Sequence, residues 1–458
     1  MRNLFSVNGD NIRLNESRFY QYLHLDMGYT NIKYDDKLEF VKINEKIISS
    51  TNLDLLVNGF FDELRSQNFI YNRRNRTRDV ENYVRRRIST LFLPNQLKTL
   101  TAVEPEFLDY DEHTSYLFYK NGVFKVSSDR IVKTEYRDLT KYVWKNQIID
   151  RELNLNNEIE DGVFYQFVKK LSGDHPEKFN SLRSIIGYLL HRYKDPVTPK
   201  AVILYDEDYT DQQNGGTGKS LLSKSLGYIR KQCVKDGPNI NMENQFSYSD
   251  VQLGTNIILI DDVAHRFNFT NLFSVLSNGL PIRRLYQDLI TIPYEQSPKF
   301  MLTSNFVVAG MGDSHDRRKI EFEISRYFNR RRKPLNEYGS RFFISWDKEE
   351  WSKFDNFMID CIQYYLQNGV VEVDPVYVRR KRIIRETCEE FVEFIENWLD
   401  ETDNYRVAKN HLYDDFITST GVTPKSKIQF TKWVNTYCNI MEINLSYGQG
   451  NQYYVFSK

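Results

Sequence analysis

The chain has 458 residues, 40% of them hydrophobic, 27% charged and 14% aromatic, a balance that fits a packed chain of about three domains and excludes a disordered, collagen-like or coiled-coil one. Lys and Arg total 62 against 62 Asp and Glu, so affinity for nucleic acid has to come from local basic patches and not from the field of the whole molecule. The four cysteines, Cys233, Cys361, Cys388 and Cys438, form no C-x-x-C pair, which argues against a zinc ribbon or a disulfide framework. No apolar run nears the ~18 residues of a membrane helix, and the start MRNLFSVNGDN lacks a signal-peptide core. A soluble cytoplasmic protein without a membrane partner is expected.

In chain order, residues 1–150 mix helical patterns (52–66, 77–93) with strand-like runs around a Lys120-Asn121-Gly122 turn, which predicts an N-terminal α+β domain of unknown purpose. It carries the densest basic cluster, Arg73, Arg74, Arg76, Arg78, Arg85, Arg86 and Arg87, with Tyr71 and Tyr83 interleaved. That cluster reads either as a phosphate-contacting face or as a solvated face paired with Asp79 and Glu81. Residues 151–198 place Phe164, Phe167, Val168, Leu171, Leu182, Ile185, Ile186, Leu189 and Leu190 at helical spacing, a helical lead-in assigned to oligomerisation. Residues 199–372 alternate helices with short apolar strands at 201–205, 256–260 and 299–303, the pattern of a buried parallel sheet and hence of an α/β core. Residues 373–458 read as a helix followed by helix, helix and hairpin, a winged helix with Ser426 as an N-cap and a turn at Gly448-Gln449-Gly450.

The strongest local signal is Asn214-Gly215-Gly216-Thr217-Gly218-Lys219-Ser220, after the strand 201–205 and before a helical pattern. A glycine-rich turn there curls backbone N–H groups around phosphate oxygens. Lys219 would reach the β/γ-phosphates of ATP and Ser220 would bind Mg²⁺. Gln213 stands where the full phosphate-loop pattern has its first glycine, and Asp206, Glu207, Asp208 and Asp211 have to point away from a triphosphate. Downstream, the strand 256–260 ends in Asp261-Asp262; Asp261 is assigned to the metal and Asp262 to the attacking water. A third strand delivers Ser304-Asn305, an amide able to bond both phosphate and water. Arg317 and Arg318 then precede the strand 320–324 and could neutralise the charge on a transferring phosphoryl group, best from a neighbouring subunit.

This order of motifs resembles the superfamily 3 helicases of viruses, phages and plasmids, and most of all the helicase part of poxvirus-type primase-helicases of phages, plasmids and integrative elements. The resemblance covers roughly residues 150–458, and Ile186-Gly187-Tyr188 is similar to the family's helix before the first strand. It implies an AAA+-like core, a homo-hexameric ring, ATP hydrolysis at subunit interfaces with Mg²⁺, and translocation on single-stranded DNA during replication. Duplex DNA and a primase or polymerase stay open as further partners. The chain departs from the family at Gln213, at Asp262, where many members have Glu, and in the segment 281–293, which lacks a Lys near its tip. If that hairpin projects into the pore, Arg283 and Arg284 grip phosphates and Tyr286 stacks on a base. No paired-Asp signature of a primase occurs in the N-terminal region.

In the tail, Lys425, Lys427 and Lys432 could meet DNA phosphates in the helix-turn-helix manner, although winged helices also dock proteins. The runs 330–333 and 379–382 either line a ring or solubilise linkers. Three functions compete: a replicative helicase, a nucleotide-switched DNA-binding initiator that does not translocate, and an ATPase that remodels a protein partner.

Overall fold

A computed structural model describes the whole chain except residues 1, 9–10, 35–36, 68, 72–73, 109, 156–157, 208–215, 253, 266, 285–288, 309–312, 402–405 and 458. The chain divides into two compact units, Met1–Leu153 and Asn154–Lys458. Among the described residues no helix is long and apolar enough to cross a membrane.

The first unit mixes helices with a five-stranded sheet in the order Val143–Trp144, Ile47–Ser50, Lys37–Asn44, Tyr29–Tyr34, Ala102–Val103. Its core is aromatic: the rings of Phe19, Phe60 and Phe92 meet edge to face with centroids 5.2 to 5.7 Å apart. Strands Ser115–Tyr119 and Gly122–Val126 pair so that Tyr119 faces Gly122, leaving Lys120 and Asn121 as the turn. The Asn121 side chain then bonds both the N–H and the carbonyl of Leu153. Three arginines of the basic cluster are in ion pairs, Arg85 with Glu81, Arg76 with Asp79, and Arg87 with Glu16. Arg73 lies outside the described residues.

The second unit is built on five strands, in chain order Ala201–Asp206, Gln232–Asp236, Ile257–Val263, Lys299–Ser304 and Lys319–Ile324. All neighbouring pairs are parallel. The sheet runs 232–236, 257–263, 299–304, 201–206, 319–324, so one strand separates the phosphate-loop strand from the Asp-Asp strand. Ala201, Val202, Ile203, Leu204, Ile257, Ile258, Leu259 and Ile260 are fully buried. That explains their continuous apolar runs: a parallel sheet covered on both faces has no polar side to alternate with.

Helix Pro176–Leu190 crosses helix Lys348–Asn368 where Gly187 sits, because a Cβ there would lie 2.0 Å from the Cys361 carbonyl oxygen. Arg183 forks onto both oxygens of Asp360 beside this crossing. Two basic side chains close the end of the first helix by hydrogen bonds: Lys299 Nζ donates to the carbonyls of Tyr188 and His191, and Arg230 Nε donates to that of Leu190. Lys299 also opens the strand that ends beside Asn305, so the lead-in helix and that strand are fixed to one another.

The run Arg379-Arg380-Lys381-Arg382 is tied to acidic partners, and Arg379 and Arg382 line a cavity with Lys319, Glu321 and Glu442. Helix Val376–Glu386 carries it, with Arg379 on Asp374 and Glu442, Arg380 on Glu396, and Arg382 on Glu321 of the edge strand. Beyond it, helices Lys409–Thr420 and Lys427–Ile440 share a core with Phe391, Val392, Ile395, Tyr454 and Phe456. Ser426 caps the second of these, its hydroxyl accepting from the N–H of Gln429. The terminal sheet has three strands, Arg406–Ala408, Tyr453–Ser457 and Asn444–Gly448, one more than the expected hairpin, because a three-residue strand has too short a pattern to declare itself.

Candidate nucleotide site

The site lies at the carboxyl ends of three adjacent strands, where ligands of open α/β sheets bind. The described part of the glycine loop, Gly216 to Ser220, enters helix Lys219–Ser225 with left-handed backbone at Gly216 (φ 104°) and Gly218 (φ 103°). Gly218 is required for space as well, since a Cβ would lie 3.0 Å from Phe167 and Leu171 of helix Val163–Leu171. Lys219 is 9% exposed at its side chain. Its ammonium pairs with Asp206 and donates to Asn305 Oδ1 at 2.8 Å. The Asn305 amide passes the contact on, Nδ2 donating to Asp262 Oδ1 at 2.8 Å. Lys219, Asn305 and Asp262 thus form one hydrogen-bonded chain.

Consecutive strand residues normally point to opposite faces, so two adjacent carboxylates do not reach one site from a regular strand. The register shifts between Ile260 and Val263, and Asp262 takes a left-handed backbone (φ 60°) that Asp tolerates better than most residues. This bulge re-aims both side chains. Thr303 holds it, its Oγ1 accepting from the Asp262 N–H at 2.7 Å and donating to Asp261 Oδ1 at 2.8 Å. Gly237 holds it from the other side: its N–H donates to the Asp261 carbonyl at 2.7 Å, and a Cβ would sit 2.6 Å from that oxygen.

Ser220 Oγ donates to Asp261 Oδ1 at 3.0 Å, and the Lys224 ammonium lies 2.8 Å from Oδ2. Burial raises the Asp261 carboxyl, but the bonds from Lys224, Thr303 and Ser220 outweigh it and hold the group below the usual carboxylate range. A carboxylate that stays ionised and a hydroxyl beside it are oxygen ligands that fit Mg²⁺, which takes one or two protein oxygens plus phosphates, and Mg²⁺ would take the place Lys224 now holds on Asp261. Among the described residues no group of three His, Cys, Asp or Glu could hold a metal.

Gly216, Thr217, Gly218, Lys219, Ser220, Asp261, Asp262 and Asn305 are therefore brought together, while Asn214, Gly215 and Tyr286 lie outside the described residues. Arg317 is exposed. Arg318 donates to the Ser314 carbonyl and stacks over Phe273 at 4.6 Å, directed into its own chain and not outward. Strands Leu280–Ile282 and Ile290–Ile292 form the hairpin base, where Arg283 donates to Gln245 Oε1 at 2.6 Å. Arg284 donates to the carbonyls of Ser249 and Val251. Lys427 reaches Asn410 Oδ1 at 2.8 Å, and Lys432 is exposed.

Asp206 contradicts the expectation that the acidic residues before the loop turn away. Glu207 does so, onto Lys178 at 2.9 Å, but Asp206 turns inward onto Thr217 and Lys219. Asp208 and Asp211 lie outside the described residues. Thr303, Gly237 and the turn at Asn329–Arg330, whose backbone comes within 4 Å of where a Gly216 Cβ would be, also belong to the site. Local sequence carried no signal for them beyond Thr303's place at a strand end.

No protein-family model and no curated protein matches the chain. Solved structures give remote likenesses. The A-form apo structure of the NrS-1 C-terminal region is 13% identical, covering 96% of this chain and 99% of that one, with a TM-score of 0.46. A second apo structure of the same region is 12% identical over 97% and 99%, at 0.45. The JCV helicase bound to an acetamide ligand is 12% identical over 53% of this chain and 62% of that one, at 0.27. Likeness this remote carries no inference about activity.

Proposed function

We propose that residues 199–372 bind ATP with Mg²⁺ and hydrolyse it, and that the chain uses the energy as a superfamily 3 helicase, translocating on single-stranded DNA as a ring. The observation that carries this reading is the chain Lys219–Asn305–Asp262 beside the pair Ser220–Asp261. Lys219 would hold the β/γ-phosphates. Asp262, whose carboxylate faces Asn305, would accept the proton of the attacking water, and Asn305 would sense whether the γ-phosphate is present. Ser220 and Asp261 would hold Mg²⁺, which when bound supplies neutralisation of phosphate charge. Phe167 and Leu171 pack closely against Gly218 of the loop.

Within the same proposal, 151–198 is the oligomerising lead-in, 373–458 ends in a winged helix, and a hexamer forms in the cytoplasm. Arg317, exposed on the loop before the edge strand, supports a role in trans, whereas the inward packing of Arg318 supports a structural one. Mixing Lys219→Ala chains with Arg317→Ala chains, each inactive alone, should restore part of the turnover; no recovery in demonstrably exchanged rings counts against the trans role. Arg284 is held on two backbone carbonyls and Arg283 on the side chain of Gln245, so neither is presented free for a DNA phosphate. That favours, as a second reading, a nucleotide-switched DNA-binding initiator. ATP turnover measured with and without single-stranded DNA separates the two: strong stimulation selects translocation, and DNA binding without stimulation selects the initiator.

A further inference from the structure

Asp206 closes the strand that leads into the phosphate loop, where a triphosphate would bring negative charge of its own. Its carboxylate is nevertheless directed into the loop. One oxygen accepts from Thr217 Oγ1 at 2.5 Å, the other pairs with Lys219 Nζ, and the two charged side chains are 10% and 9% exposed. An ammonium withdrawn from water this far needs an anion or several acceptors to remain charged. Asp206 provides the anion and Asn305 a further acceptor. Lys219 has three N–H donors in all, so two are engaged before any phosphate arrives.

We propose that Asp206 is a positioning residue of the nucleotide site: it holds Lys219 and Thr217 aimed while the site is empty, and it competes with the phosphates for Lys219. Charge at position 206 therefore limits nucleotide affinity. A neutral acceptor of the same shape would keep Thr217 in place and release the ammonium to the phosphates. The neighbouring Glu207 turns the other way and is held on Lys178. The inference rests on the ATP reading and adds to it a residue that weakens binding.

Asp206→Asn in the full chain is the test, with Asp206→Ser as a second variant should the first fold poorly. Titration with a fluorescent ATP analogue in Mg²⁺ should show binding at least about tenfold tighter in Asp206→Asn than in the wild type, because a close charge competitor has been removed. KM for ATP should fall with it, while kcat moves less. In nucleotide-free protein, acylation of Lys219 by an amine reagent, read by mass spectrometry, should be faster in the variant. Equal or weaker binding, or equal Lys219 labelling, overturns the proposal while leaving the ATP site standing. Absence of binding to both wild type and variant overturns the ATP reading, and this proposal with it.

Discussion

Two sets of polar residues in the second unit are held in different ways. At the carboxyl edge of the sheet, Asp206, Asp262 and Asn305 come from three adjacent strands and meet Lys219 through a connected set of bonds. At the hairpin base and on the last two helices, cations have separate partners: Arg283 has Gln245, Arg284 has the carbonyls of Ser249 and Val251, and Lys427 has Asn410. A set connected through the buried Lys219 is preorganised, so its geometry limits what chemistry it can do. The exposed Arg283 and Lys427 are set by whatever ligand displaces those partners, and their geometry says less about use, whereas the half-buried Arg284 is held to backbone.

That contrast makes substitutions at the edge specific in effect. Asp262→Asn keeps the acceptor for Asn305 and a residue type tolerant of left-handed backbone, so nucleotide binding should persist while turnover falls about 10²- to 10⁴-fold. If instead Asp262→Asn loses binding in a titration, the two carboxylate roles are interchanged.

A buried carboxylate one strand further on gives a pH test. Burial raises Glu323 to about 7 from the ordinary 4.5, offset in part by the N–H of Val378, which donates to Oε1 at 2.6 Å. Because the folded value is the higher one, its contribution is fully present below 4.5 and is lost as pH rises through about 7. Glu323→Gln should therefore leave stability near that of the wild type at pH 4 and raise it at pH 8 by on the order of 1–3 kcal/mol. Denaturant melts at the two pH values check this; an equal effect at both would show that the charge is not what matters.

The hairpin gives the smallest effects. Arg284→Ala removes two bonds to backbone carbonyls and should cost about 1–3 kcal/mol, whereas Arg283→Ala, at an exposed side chain, should stay within about 0.5 kcal/mol. The order of the two in a urea melt is the check. If Arg283 proves the costlier, the assignment of Arg284 as the residue that fastens the hairpin base fails.

Local signals were readable where one segment suffices. The strands at 201–205 and 256–260 declare themselves by their apolar runs, and the glycines at 216 and 218 by a backbone that other residues enter with strain. What required a second segment was invisible: the bulge at Asp262 depends on Thr303 and Gly237, contributed by other parts of the sheet. The inward turn of Asp206 depends on Thr217 and Lys219 across a loop, and the run 379–382 reads as solvated until Glu321, Glu396 and Glu442 are placed against it.

The central claim is that Lys219 addresses the phosphates of ATP. ATP turnover of Lys219→Ala beside the wild type, under saturating Mg²⁺-ATP and single-stranded DNA, tests it most directly. Turnover at background is expected in a chain that still folds, though destabilised by roughly 1–3 kcal/mol because Asp206 keeps only the Thr217 hydroxyl as partner. Retention of most of the wild-type turnover would contradict it.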